Sequence, residues 1–278
     1  MTTNLTSTFT QTFLQKLLGR NYKWWYLLLH SFKSYNVYRF SSFSSFLARF
    51  ISLLAVMLIW YIALLNGTNV ISFNYIFTYY LVGNIFSFFN TVQWAISNSI
   101  KDGNIASCLI RPSNIWLQWY VKNLGWNLFV IFTEIILTSI ALIIGFQYLI
   151  LPASIFTLIS FVSLSLIGYV CLVLTNFLFG FSAFYYPENW GIMELSAVSA
   201  QYASGKTFPL NIIWFTTPLS FLPFAFNFYH PMQIYLGKYS PLETLYVFLG
   251  GITWCVVLYF LAKWVFKLGL KRNESVGL

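Results

Sequence analysis

The sequence predicts an all-α integral membrane protein that crosses the bilayer an even number of times, and three observations carry this expectation. Of 278 residues, 59% are hydrophobic and 8% charged, against about 25% charged in a soluble domain. Aromatics make up 22% of the chain and the mean hydropathy is +0.72, which is more apolar surface than one aqueous core of this size hides. Apolar runs of spanning length also recur along the chain, separated by short polar segments.

Residues 1–20 are polar and Thr-rich, without the apolar core and small-residue cleavage site of a secretory signal. The first span is therefore expected to act as its own insertion signal. Residues 9–50 mix Lys and Arg with Trp24, Trp25, Tyr26, Leu27, Leu28, Tyr35 and Tyr38, the composition of a helix at headgroup level. Segment 1–49 is thus expected to lie along the inner leaflet.

A spanning helix takes about 20 apolar residues at about 1.5 Å each. Residues 50–65, 72–96, 123–145 and 155–179 meet this need, and 245–262 adds another, starting after Pro241 and stopping at Lys263. Between 179 and 245 there are two candidates. Residues 190–203 are weakly apolar and contain Glu194; residues 208–229 are apolar but broken by Pro209, Pro218 and Pro223.

The 15 Lys and Arg outnumber the 6 Asp and Glu, for a net charge of +9. In a membrane chain such an excess reports topology, because cytoplasmic loops collect basic residues; no nucleic-acid site is expected. Lys16, Arg20, Lys23, Lys33, Arg39 and Arg49 lie before the first span, and Lys263, Lys267, Lys271 and Arg272 end the last. Both termini are therefore expected in the cytoplasm, which requires an even count, hence six spans. Lys101, Arg111 and Lys122 put segment 97–122 on the same side, while 66–71 and 147–152 carry no basic residue. If 190–203 spans, 208–229 becomes a re-entrant or interfacial element on the outer face; if the Pro-broken stretch spans instead, Lys206 moves inside.

The cytoplasmic segment can form a short amphipathic helix with Ile105, Cys108, Leu109 and Ile110 on its apolar side. Pro112 ends it and forces Arg111 into an extended conformation. Such an element docks a cytosolic partner, or is a plain loop satisfied by water.

Chemistry of other kinds is sparse. Cys108, Cys171 and Cys255 are far apart and fit neither a disulfide framework nor a zinc site, and neither His30 nor His230 has a second ligand at useful spacing, so no metal site and no catalytic set are expected. Residues 200–207 match a loose phosphate-loop pattern with Ala200 at the first Gly position. They lack the preceding strand and the following helix that such a loop needs, and are rejected as a nucleotide site. Glu134 is the ionisable residue deep in a clear span, and so a candidate for the translocation path; a protonated packing role bonded to Thr133 or Thr138 is the alternative. Glu188 and Glu194 are expected to cap the helix at Trp190, the alternative being a place in its aqueous mouth.

The order of elements resembles the permease subunits of ABC transporters in the ABC-two export superfamily. The resemblance is carried by Tyr38, Arg39 and Phe40 before the first span and Leu58, Ile59 and Trp60 within it. It continues through Gly103 followed by Leu109, Ile110, Arg111 and Pro112, then Ser204–Leu210, Leu222, Pro223 and Phe224, and Tyr229, His230 and Pro231. The last match is the ending Gly269, Lys271, Arg272, Glu274, Ser275 and Gly277, where Asn273 replaces the family's aromatic residue. It implies six transmembrane helices after an N-terminal interfacial helix, pairing with a second permease copy or a different chain, and a multi-pass place in the plasma (cell inner) membrane. It also implies that 97–122 holds the coupling helix, with Lys101, Asp102, Gly103, Ile105, Leu109, Arg111 and Pro112 facing a cytosolic ABC ATPase. Residues 190–203 become the fifth span, and 204–240 become short re-entrant helices on the outer face. ATP and Mg would be held by the partner ATPase; this chain is expected to bind no cofactor and to be no enzyme itself. The rival is a secondary transporter or channel using Glu134, against which stand the lack of a second membrane carboxylate and of an inverted repeat.

Overall fold

The computed structural model describes residues 24, 27, 28, 39–65, 72–86, 91–111, 114–211 and 214–274. They are helical with short turns, and no strand occurs among them. In chain order the helices are α1 (Arg39–Leu65), α2 (Phe73–Phe86), α3 (Val92–Lys101), α4 (Ile105–Ile110), α5 (Ile115–Gly145), α6 (Ile155–Phe181), α7 (Trp190–Tyr202), α8 (Tyr229–Tyr235) and α9 (Pro241–Glu274), with 3-10 turns at Trp214–Phe221 and Pro223–Asn227.

Stretches Ile155–Phe184 and Pro241–Arg272 are long and apolar enough to cross a membrane, and shorter apolar stretches lie at Phe50–Ile62 and Thr138–Tyr148. The outward faces are oily: Leu58 and Ile59 on α1, Ile143 and Ile144 on α5, Phe156 on α6 and Phe260 on α9 are all exposed, a belt that lipid rather than water covers. The expected interfacial segment 1–49 falls largely outside the described residues; from Arg39 onward it is continuous with α1.

Two expected spans differ from the sequence reading. The run 72–96 forms two helices, α2 and α3, flanking residues 87–90, which lie outside the described residues. Thr91 leaves helical geometry at φ −126°, and α3 buries Gln93 and Ser97, so its face is matched to polar partners rather than to lipid. The run 190–203 forms α7, whose 13 residues make about 20 Å of helix, short of a bilayer core of about 30 Å.

Helix α6 organises both ends of the bundle. At its N-terminal end Phe161 and Leu164 join Tyr79 of α2 and Phe228, Met232 and Tyr235 in one buried cluster. At its C-terminal end Phe177 and Phe181 join Ile96 of α3, Ile105 of α4, Trp119 of α5 and Ala262 of α9. The segment 204–240 therefore packs at the end of the bundle opposite α4. Between the two clusters the thiols of Cys171 and Cys255 meet at 3.2 Å; both cysteines are free.

Gly168 makes the first cluster possible. A Cβ at this position would overlap the backbone carbonyl of Phe226, and the nearest further atom, Asn227 Cα, would be 2.7 Å away. The main chain of Pro223–Asn227 thus lies directly on α6. Beside this cluster His230 is buried, its ring 4.7 Å from that of Phe226, with Nε2 2.7 Å from the Ser220 carbonyl and Nδ1 2.8 Å from the Tyr239 hydroxyl. A carbonyl only accepts, so Nε2 carries the proton and Nδ1 accepts from Tyr239. Burial pushes the imidazole down to about 4, against the opposing pull of the Ser220 bond.

Gly168→Val meets main chain that cannot step aside, and should destabilise the protein by roughly 2 kcal/mol or more, read as a fall in thermal unfolding temperature in detergent. Because the folded pKa of His230 lies below its ordinary 6.5, its contribution is complete above pH 6.5 and is lost as pH falls toward 4. Thermal stability should drop across that window in the wild type, with a shallower drop in His230→Gln.

Candidate functional site

The segment that joins α3 to α5 is built so that a very short helix holds one shape. Helix α3 ends in a left-handed turn: the Asp102 N–H donates to the Asn98 carbonyl at 2.9 Å, the Gly103 N–H donates to Ile100 at 3.2 Å, and Gly103 has φ +70°, a conformation glycine adopts without steric cost. Helix α4 follows with only six residues, too few to be stable alone. Its fixings are external. Ile105 is fully buried and Cys108 is 3% exposed, both within the aromatic cluster of Trp119, Phe177 and Phe181.

The carbonyls at a helix C-terminus have no partner within the helix. Gln118 of α5 supplies one, its Nε2 donating to the Cys108 carbonyl at 3.3 Å in a buried position. Arg111 then leaves the helix extended, at φ −69° and ψ 136°, as the sequence predicts; Pro112 lies outside the described residues. Asn114 caps α5 by accepting from the N–H groups of Trp116 at 2.9 Å and Leu117 at 3.4 Å.

The outer side of α4 is different in kind. Leu109 is 48% exposed and Ile110 84% exposed, while Lys101, Asp102, Asn104, Ser107 and Arg111 are exposed around them. Spacing alone puts Leu109 and Ile110 with Ile105 and Cys108 on one apolar side. The structure divides them, two residues inward as anchors and two outward as an apolar tip with a charged rim.

The base of this unit is tied by polar bonds to neighbouring helices. With its amide oxygen toward the start of α3, Asn123 of α5 accepts from the Thr91 and Val92 N–H groups at 3.3 and 3.1 Å. Ser97 of α3 donates to Asn189 Oδ1 at 2.9 Å, and Asn189 Nδ2 donates to Ser182 Oγ at 3.0 Å. Gln93 Nε2 donates to Ser196 Oγ of α7 at 3.4 Å. Gly180 of α6 admits α3 closely, since a Cβ there would stand 2.9 Å from Ile96 Cβ.

The other sequence candidates lie apart. Glu134 sits on α5, roughly 24 Å along the axis from Gln118 at about 1.5 Å per residue, and its side chain is outside the described residues. Glu188 and Glu194 do not cap α7. The residue at the cap position is Asn189, whose side chain makes no capping bond, and no acid lies in the first turn. The phosphate-loop lookalike forms the turn after α7: Gly205, at φ +82°, accepts from the Tyr79 hydroxyl at 2.8 Å and so turns a carbonyl, not an N–H nest, toward its neighbour. Gln118 and Asn189 had no distinguishing signal in the sequence, because a lone amide in an apolar run marks no particular partner.

A family model described as an ABC-2 family transporter protein matches residues 45–277. No curated protein and no solved structure matches the chain.

Loss of the Gln118 bond should loosen the unit without touching its exposed face. Gln118→Leu leaves the buried Cys108 carbonyl without this partner, at a cost of about 1–3 kcal/mol. Trypsin cleavage after Lys101 in membranes opened to the protease should accelerate several-fold relative to wild type.

Proposed function

The chain belongs to the ABC-2 family of transporter proteins, and from that premise we propose that it is the membrane permease of an ATP-driven exporter, with α4 as the seat of a separate cytosolic ABC ATPase. The observation that carries this reading is the two-sidedness of α4, with Ile105 and Cys108 buried and Leu109 and Ile110 exposed. An apolar tip ringed by charged groups is the form of a small protein-docking knob, in which a desolvated centre supplies the energy and a polar rim the register. Lys101, Asp102 and Arg111 form that rim, and Gly103 sets the turn that presents it. The anchoring of α4 through Ile105, Cys108 and Gln118 means that a push on its tip moves α3 and the start of α5 with it, rather than bending the knob alone.

In this reading the α4 end faces the cytoplasm, both termini lie on that side of the plasma membrane, and 204–240 forms the outer face. ATP and Mg act on the partner ATPase, whose closure displaces α4 in a two-state cycle. A second permease, identical or different, completes the path. Glu134 takes no required part.

The test is purification of the tagged chain from its native membranes in mild detergent. Wild type should bring a stoichiometric soluble ATPase, and Leu109→Asp and Ile110→Asp should lose it while keeping their unfolding temperature, since both side chains point outward. Ile105→Asp is unsuitable here, because a buried carboxylate damages the fold itself. The reading is overturned if the chain comes alone, or if both variants retain the ATPase. Transport by the reconstituted complex should survive Glu134→Gln; its abolition, with vesicles that respond to an ion gradient, would favour a secondary carrier.

A further inference from the structure

Helix α7 is held at its two ends by the two helices that flank residues 87–90. At its far end the Tyr79 hydroxyl of α2 donates to the Gly205 carbonyl at 2.8 Å, the Tyr80 hydroxyl donates to the Thr207 carbonyl at 2.7 Å, and the Tyr229 N–H donates to the Ser204 carbonyl at 3.0 Å. At its near end the holder is α3, through Asn189. This residue occupies the position from which an Asn side chain ordinarily caps its own helix. Instead it is fully buried and spends both amide atoms elsewhere, accepting from Ser97 of α3 and donating to Ser182 at the end of α6.

One turn back along α3 and two turns on along α7, the contact between them is only partly satisfied. Gln93 donates to Ser196 at a long 3.4 Å, and its Oε1, although the residue is 3% exposed, has no partner among the described residues. A buried acceptor left unpaired is costly, so an arrangement in which α3 shifts against α7 and pairs it is favoured in that respect. The contact at Gln93 is thus less completely satisfied than the pair of bonds at Asn189, which leaves Asn189 as the firmer link between α3 and α7.

We propose that Asn189 is the positioning residue that passes displacement of α3 and α4 to α7, tilting the near end of this short helix while Tyr79 and Tyr80 hold its far end. The inference rests on the reading of α4 as the ATPase seat. Helix α7 is the natural element to move: it is too short to span the bilayer unaided, and Trp190, Leu195, Val198 and Tyr202 on it are exposed, so its outward side is not locked into this chain. Asn189 touches no transported molecule in this scheme and acts only through α7.

The test is hydrogen exchange, followed by mass spectrometry, on the complex of the chain with its co-purifying ATPase in lipid nanodiscs, without nucleotide and with ATP plus vanadate. Wild type should change protection in residues 101–111 and again in 190–202. In Asn189→Leu the first change should persist at full size while the second falls at least threefold. Ser97→Ala, a smaller deletion that leaves the Asn189–Ser182 bond in place, should act in the same direction, and Ser97→Thr, which keeps the hydroxyl, should restore wild-type behaviour. A merely structural role would blur both regions together. If 101–111 responds and 190–202 responds equally in wild type, Asn189→Leu and Ser97→Ala, the role of Asn189 is overturned and the docking reading stands. If 101–111 is silent to nucleotide in wild type, the docking reading fails and takes this inference with it.

Discussion

The close approach of two segments to helix α6 sets the geometry on which the other elements depend. At Gly168 the main chain of Pro223–Asn227 rests on the helix, and at Gly180 helix α3 does the same through Ile96 and Gln93. Small residues at helix contacts let backbones approach where lipid offers no hydrophobic drive for association, and dispersion and polar bonds must do the joining. The two notches stand about 18 Å apart along one apolar helix, Gly168 at its middle and Gly180 next to its C-terminus. Each therefore gathers its own aromatic cluster, one around Tyr79, Phe161 and Phe228, the other around Ile105, Trp119 and Phe181. The polarity of the molecule, with α4 at one end and 204–240 at the other, follows from that arrangement.

Inside a bilayer an unpaired polar group has no water to turn to, so the buried amides and hydroxyls of this chain mark where helices are required to meet. Asn123 meets the start of α3, Gln118 the end of α4, and Asn189 both α3 and the end of α6. All three lie near the α4 end. The opposite end is stapled by tyrosine hydroxyls on backbone carbonyls and by His230. One end is thus joined mainly by side-chain amides, and the other by tyrosine hydroxyls and an imidazole set in a ring-packed cluster.

Much of this was legible in the residues. The apolar runs that become α1, α5, α6 and α9, the short helix at Ile105, the extended Arg111 and the set-aside phosphate-loop pattern follow from composition, spacing and the effect of Pro112. The division of 72–96 was less so, because periodicity cannot register that Gln93 and Ser97 have partners waiting on α7. The outward turn of Ile110 was partly readable: at about 100° per residue it stands roughly 140° from Ile105, although a six-residue helix leaves little pattern to weigh. The diversion of Asn189 from capping was not readable at all, since Ser97 is far from it in sequence. The family resemblance supplied the order of elements where single motifs were weak, and the family match over residues 45–277 agrees with it.

In the proposed function the exposed tip of α4 is the contact for an ATPase. A photo-crosslinking amino acid placed at Ile110 in living cells, with Phe221 at the opposite end of the bundle as the control position, tests this most directly. An ultraviolet-dependent adduct with a soluble nucleotide-binding polypeptide is expected from position 110 and none from 221. An adduct with that polypeptide from 221, or only lipid adducts from 110, would contradict that contact.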